Sequence, residues 1–249
     1  MILEYIVKKD DVNKSYRDIL KDKLQISTRL LKRLKSLQKL RVNDEVMFVK
    51  NKAVEGDKIY VDINLDEEND DVIPQKGDLD ILYDDDYYIA VNKPSNMVVH
   101  PCSYHPHGTL SNYLKYYLKS NNKIHPVNRL DKDTSGIVLF AKNEYAQEMF
   151  IRMKERPSKV YITFVEGQFE KKAGTINAAI ARKEGSLIER CVDFENGQEA
   201  ITHYKVIKEL NINDKQYSML EVSLETGRTH QIRVHMAFVG HPIVGDRTL

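Results

Sequence analysis

The sequence predicts an α+β fold: a mixed, mainly antiparallel sheet with flanking helices over residues 71–249, preceded by a small α/β module over residues 1–70. Three observations predict it. From about residue 78 onward, short runs with period-two alternation recur, the clearest being Lys159-Val160-Tyr161-Ile162-Thr163-Phe164-Val165-Glu166-Gly167. Between those runs lie segments with apolar residues three and four apart, the signature of helices with one buried face. Composition also changes between the two parts. Basic residues gather before about residue 60, and Asp66-Glu67-Glu68, Asp70-Asp71 and Asp84-Asp85-Asp86 then make the chain acidic.

A chain of 249 residues can hold a small domain joined to a larger one with a sizeable core. Its formal net charge is +1 although 30% of residues are charged, so no global basic excess announces nucleic acid. The excess is local. Two cysteines, Cys102 and Cys191, make a disulfide framework improbable and fit a reducing compartment. No long apolar run is present and the first residues lack the pattern of a signal peptide, so the expected location is the cytoplasm, away from membranes.

In the N-terminal module, Ile2 to Val7 alternates as a strand, and Ser15 with Asp18 can start a short helix carrying Ile19, Leu20 and Leu24. Ser27 caps a second helix. There Leu30, Leu34 and Leu37 share one face while Arg29, Lys32, Arg33 and Lys35 cover the other, and no acidic residue occurs between Ser27 and Val42. Val42-Asn43-Asp44-Glu45 and Gly56-Asp57-Lys58-Ile59-Tyr60-Val61 read as a turn and a closing strand. Residues 64–76, ending in Pro74-Gln75-Lys76-Gly77, read as the linker.

In the larger segment, Tyr87 to Asn92 forms a strand that stops at Lys93-Pro94. Thr109 caps a helix with Leu110, Tyr113, Leu114, Tyr117 and Leu118 at core spacing, and Asn143 caps another carrying Ala146, Met149, Phe150 and Met153. Strands follow at 159–167, 201–207 and 217–224, while residues 168–200 give weak signals. Thr229 is the expected cap of a last helix that Gly240 ends, with Pro242 beyond.

Two polar stretches interrupt this framework. His125-Pro126-Val127-Asn128-Arg129-Leu130-Asp131-Lys132-Asp133-Thr134-Ser135-Gly136 runs into the apolar strand Ile137 to Ala141, which makes it a loop pinned to a rigid edge. Alone, such an Asp is a turn residue bonded to nearby backbone. Thr226-Gly227-Arg228-Thr229-His230-Gln231-Ile232-Arg233 places Arg228 at a helix entry, suited to a carboxylate or a phosphate. Arg233 lies a little over one turn further on.

The Asn-Arg-Leu-Asp run with its Thr-Ser-Gly, together with Val91-Asn92-Lys93-Pro94, Val98-Val99-His100-Pro101, Lys159-Val160-Tyr161 and the Thr226–Arg233 stretch, closely resembles the RNA pseudouridine synthases of the ribosomal large-subunit type. The resemblance covers about residue 78 to the end. The segment before it resembles the small RNA-binding domain of the fourth small-subunit ribosomal protein. This likeness implies a cofactor-free isomerisation in which uracil is detached from ribose, turned and rejoined through a ring carbon. It implies Asp131 as the catalytic carboxylate, Arg228 as its ionic partner and Tyr161 as the ring stacked on the flipped base. Arg129 would fill the space the base vacates, Ile232 would form an apolar wall, and Arg233 with Arg29, Lys32, Arg33 and Lys35 would contact RNA.

The implied partner is ribosomal RNA foremost, with transfer RNA second, acted on by a monomer; neither metal nor cofactor is expected. Chemistry on a base within structured RNA requires extrusion, at a cost of a few kcal/mol that an aromatic ring and a cation can offset. Two departures stand out: Asn128 where the family commonly has His, and an end at Val244-Gly245-Asp246-Arg247-Thr248-Leu249 where relatives usually continue. Asn128 can still donate and accept hydrogen bonds. His100, Cys102, His105 and His107 are clustered but lack the paired spacing of structural zinc sites. Rival readings are a non-catalytic RNA-binding or ribosome-assembly protein, and more remotely a metal-independent glycosylase that would release free base.

Overall fold

Among the described residues, four of the five α-helices begin where an N-cap side chain accepts from a backbone amide that the first turn leaves unpaired. The computed structural model describes residues 1–65, 72–119, 123–153, 155, 157–186 and 188–246. The acidic run 66–71 and the final residues 247–249 therefore lie outside the described residues. Two compact units result, Met1–Lys154 and Glu155–Leu249.

The first unit starts with strand β1 (Ile2–Ile6), helix α1 (Tyr16–Asp22) and helix α2 (Thr28–Ser36), followed by β2 (Leu40–Val42), β3 (Glu45–Val46) and β4 (Lys58–Asp62). Ser15 and Asp18 form the reciprocal capping box that the sequence anticipates, and Ser27 Oγ accepts from the Leu30 amide at 2.9 Å. Leu30, Leu31 and Leu34 are buried. Leu37, expected on the same face, is 48% exposed because it already caps the C-terminus of α2. Asn43 and Asp44, both with positive φ, make the tight turn between β2 and β3. These strands form an antiparallel sheet in the order β1-β4-β2-β3. It closes over a core that includes Val7, Ile19, Leu20, Leu30, Ile59 and Val61.

The same unit continues with β5 (Asp80–Asp84), β6 (Tyr88–Lys93), helix α3 (Leu110–Leu118), β7 (His125–Pro126), β8 (Gly136–Ala141) and helix α4 (Glu144–Arg152). Thr109 and Asn112 form a second capping box, and Asn143 Oδ1 accepts from the Ala146 amide, both as expected. The sheet runs β5-β6-β8-β7, and Ile89, Val91, Val138 and Phe140 on its inner face pack with Leu110 and Leu114 of α3.

The second unit contains β9 (Lys159–Glu166), β10 (Ala173–Asn177), β11 (Ile180–Arg182), β12 (Arg190–Val192), β13 (Ile201–Ile212), β14 (Lys215–Leu224) and helix α5 (Gln231–Phe238). Its main sheet has the order β10-β13-β14-β9, and β11 pairs with β12. β13 and β14 extend past the expected strand ends to a turn at Asn213-Asp214, again with both φ positive. Val165, Leu220, Val222 and Met236 form the core beneath α5. Among the described residues every named strand pairing is antiparallel.

Candidate functional site

The loop before β8 is held from three sides. Asn128 does in the structure what its chemistry allows, donating from Nδ2 to Ile137 O at 3.0 Å and accepting at Oδ1 from the Leu139 amide at 2.8 Å. Leu130 turns inward against the core formed by Val91, Val138 and Phe140. Below the loop lies Lys93, fully buried, whose ammonium donates to Pro94 O at 2.9 Å, Met97 O at 2.8 Å and Lys132 O at 3.0 Å. An ammonium has three donors, and here all three are used. Ser95 Oγ donates to Asp133 O at 2.8 Å, and the Met97 amide shares the Lys132 carbonyl. Burial pushes the Lys93 pKa down, opposed by the negative charges of Asp133 and Asp131. Asp131 is left half-buried and Arg129 exposed, on a backbone fixed at both ends.

In the second unit, Tyr161 stands opposite Val222 in the register of β9 and β14 and packs, with Ile232, at the margin of the core. Lys159, two residues earlier on the same face, brings its Nζ to 3.0 Å from where a side chain on Gly227 would begin. Arg228 follows in that turn. Its Nε donates to Glu199 O at 2.9 Å, and its amide donates to Gln231 Oε1 at 2.9 Å. Thr229 is not the helix cap. The N-cap is His230 in the left-handed region, whose side chain does not cap the helix, and Gln231 at the first helical position reaches back instead. Gly240, with φ of +86°, ends α5 as expected.

The expected residues belong to both units. Arg129 and Asp131 share one loop of the first unit, and Tyr161, Arg228 and Ile232 belong to the second. Arg233 makes a bidentate pair with Asp246 at 2.5 and 2.8 Å, so its guanidinium holds the segment after α5. Arg29, Lys32, Arg33 and Lys35 lie on α2. Thr28, Arg29, Lys32, Arg33 and Ser36 line a shallow groove there. Arg33 Nη1 donates to Glu144 at the start of α4 at 2.8 Å, with Arg29 Nε at 3.3 Å, and Ser27 Oγ donates to Glu148 Oε1 at 2.5 Å. Part of the basic face thus docks the N-terminal module on α4, while Lys32 and Lys35 remain exposed. His100 Nδ1 lies 3.1 Å from Ser111 Oγ, and Cys102 and His105 exchange backbone hydrogen bonds in a turn.

Two polar residues of structural weight did not enter the expected site. Lys93 had a readable signal, because Ile89, Val91 and Lys93 are alternate residues on the inward face of β6, where an ammonium needs acceptors. Gln231 had none in the sequence. Its role depends on contacts with β13.

Both units are antiparallel α+β structures, the first with Asp131 on a loop and the second with Arg228 in a turn and Tyr161 on a strand. The chain belongs to the RNA pseudouridylate synthase family, whose model matches residues 87–238. It is 36% identical over 249 residues to an uncharacterized RNA pseudouridine synthase of Bacillus subtilis (strain 168), covering 98% of this chain and 81% of that one. It is 37% identical over 220 residues to ribosomal large subunit pseudouridine synthase D of Blochmanniella floridana, covering 84% of this chain and 67% of that one. Among solved structures it resembles human RNA pseudouridylate synthase domain containing 1, with a TM-score of 0.59, 29% identity and coverage of 70% and 71% of the two chains. The chain is therefore an RNA pseudouridine synthase, an isomerase. Among the described residues no helix is long and apolar enough to cross a membrane.

Proposed function

We propose that this enzyme isomerises uridines in ribosomal large-subunit RNA, acting in the cytoplasm as a monomer, with residues 1–70 as an RNA-binding module and 71–249 as the catalytic domain. The observation that supports this reading best is the clamp on the Asp131 loop. A group that must meet one atom of an extruded nucleotide gains from a backbone fixed before substrate arrives, and Lys93, Asn128 and Leu130 supply that fixation.

In this reading Asp131 is the catalytic carboxylate and Arg228 is its ionic partner. Tyr161 stacks on the extruded uracil, and Ile232, beside it at the core margin, forms the apolar wall. Arg129, exposed next to Asp131, enters the space left in the RNA. Lys32 and Lys35, with the groove along α2, hold phosphates by counterion release, while Arg33 and Arg29 divide their charge between that groove and Glu144. Arg233 acts on RNA indirectly, through its hold on Asp246.

Chemical mapping of pseudouridine in ribosomal and transfer RNA, from cells with and without the gene, tests the substrate. One or a few large-subunit positions should revert to uridine on deletion. Loss confined to transfer RNA would refute the ribosomal assignment.

A further inference from the structure

The Arg228 turn is tied to the interior of the second unit by hydrogen bonds whose direction is set at the far end. His235 is fully buried on α5, with Nε2 2.8 Å from Ala178 O and Nδ1 2.9 Å from Thr202 Oγ1. A carbonyl only accepts, so Nε2 carries the proton and the neutral ring presents a bare Nδ1. Thr202 must then donate its single hydroxyl hydrogen to Nδ1, leaving its lone pairs to face Gln231 Nε2 at 3.0 Å.

The amide group of Gln231 is thereby fixed: its NH2 points at Thr202 and at Ile201 O, 3.0 Å away, and its carbonyl points at the turn. Oε1 accepts from the Arg228 amide and from Thr226 Oγ1, both at 2.9 Å, and Thr226 Oγ1 accepts from the Ile201 amide at 2.9 Å. Every hydrogen in the chain of bonds has one acceptor and every acceptor is supplied. Flipping the Gln231 amide would set an NH2 against the Arg228 N–H and an oxygen against Ile201 O, in a buried place where unmatched polar groups are costly.

We propose that Gln231 is the positioning residue for Arg228, held in its one working orientation by a hydrogen-bond relay that runs from His235 through Thr202. The proposal rests on the reading of Arg228 as the partner of the catalytic carboxylate. None of the three relay side chains needs to touch RNA. They act by fixing where the guanidinium leaves the backbone.

The first test uses the wild-type enzyme. Nitrogen-15 NMR of the histidine rings at neutral pH should show His235 protonated at Nε2 and bare at Nδ1; a proton on Nδ1 would leave the Thr202 hydroxyl without an acceptor and overturn the relay. The second test compares Thr202→Val with Thr202→Ser in single-turnover kinetics on the RNA substrate. The valine removes the hydroxyl at similar volume and should lower kcat about tenfold or more with KM little changed, as expected when a catalytic group is misplaced rather than a binding surface lost. The serine keeps the hydroxyl and should stay within about threefold of wild type. Equal kcat for Thr202→Val and wild type, with Arg228→Lys inactive, overturns the relay alone. Normal turnover by Arg228→Lys overturns the reading on which it rests.

Discussion

The ammonium of Lys93 and the carbonyl of Lys132 lie 3.0 Å apart, joining the end of β6 to the residue that follows Asp131. That bond, with its two companions to Pro94 and Met97, makes a buried cation the anchor of the loop that carries Asp131. Lys93→Met keeps the aliphatic volume but takes this donor from the Pro94 and Met97 carbonyls and leaves Lys132 O with the Met97 amide alone. Hydrogen bonds to charged groups and unsatisfied buried acceptors each count for about 1–3 kcal/mol, so a loss of about 3 kcal/mol is expected in urea denaturation, with kcat falling more than RNA affinity. A variant of unchanged stability and turnover would show that the clamp holds nothing.

The two arginines on Glu144 should separate in energy although both are within salt-bridge distance. Arg33 is the more enclosed and sits at 2.8 Å from a carboxylate that is itself buried, whereas the Arg29 side chain is 84% exposed at 3.3 Å. Arg33→Ala should cost about 2 kcal/mol by leaving the buried Glu144 with only the exposed Arg29 as partner, and Arg29→Ala less than about 0.5 kcal/mol. Denaturation monitored for the N-terminal module measures both. Equal losses would mean that enclosure does not decide the strength of this contact.

Acid should loosen the N-terminal module through Asp11. Hydrogen bonds from Lys14 and Tyr5 lower its pKa from 3.8 to about 2. A carboxylate depressed by folding contributes stability that is complete above pH 3.8 and is lost as pH falls toward about 2. Asp11→Asn should flatten the acid limb of the melting curve in that window. An unchanged limb would assign acid sensitivity to other groups.

His235 works in a different range. Desolvation lowers its pKa below 6.5, only partly opposed by the bond to Ala178. A base whose folded pKa is depressed favours the neutral form, so its contribution is complete above pH 6.5 and declines as pH falls below it, because the unfolded chain takes up the proton first. Melting temperature should therefore fall as pH drops below 6.5 in the wild type and less so in His235→Gln. A wild-type curve that is flat across this range contradicts a buried neutral ring.

Much of this architecture was legible from residues that act locally. Ser15, Ser27, Thr109 and Asn143 cap their helices as read, and Gly240 ends the last one, because a cap depends on atoms within a few residues. Thr229 fails for a tertiary reason. Gln231 is drawn toward Ile201 and Thr202 on β13 and takes over the turn, so the cap moves one residue on, to His230. The strands of residues 168–200 were illegible because they are short, β11 and β12 being three residues each. Asp131, Arg129, Tyr161 and Arg228 were singled out by motif. The tie of Arg33 to Glu144 joins residues 111 positions apart, which no local pattern encodes.

In the proposed reading the carboxylate of Asp131 performs the isomerisation while other residues bind the RNA. Its most direct test is Asp131→Asn, measured for pseudouridine formation on the mapped RNA and for affinity by filter binding. The account predicts loss of product to the detection limit with affinity within about threefold of wild type, since one half-buried side chain adds little to a surface of phosphate contacts. Turnover at the wild-type rate by this variant would contradict it.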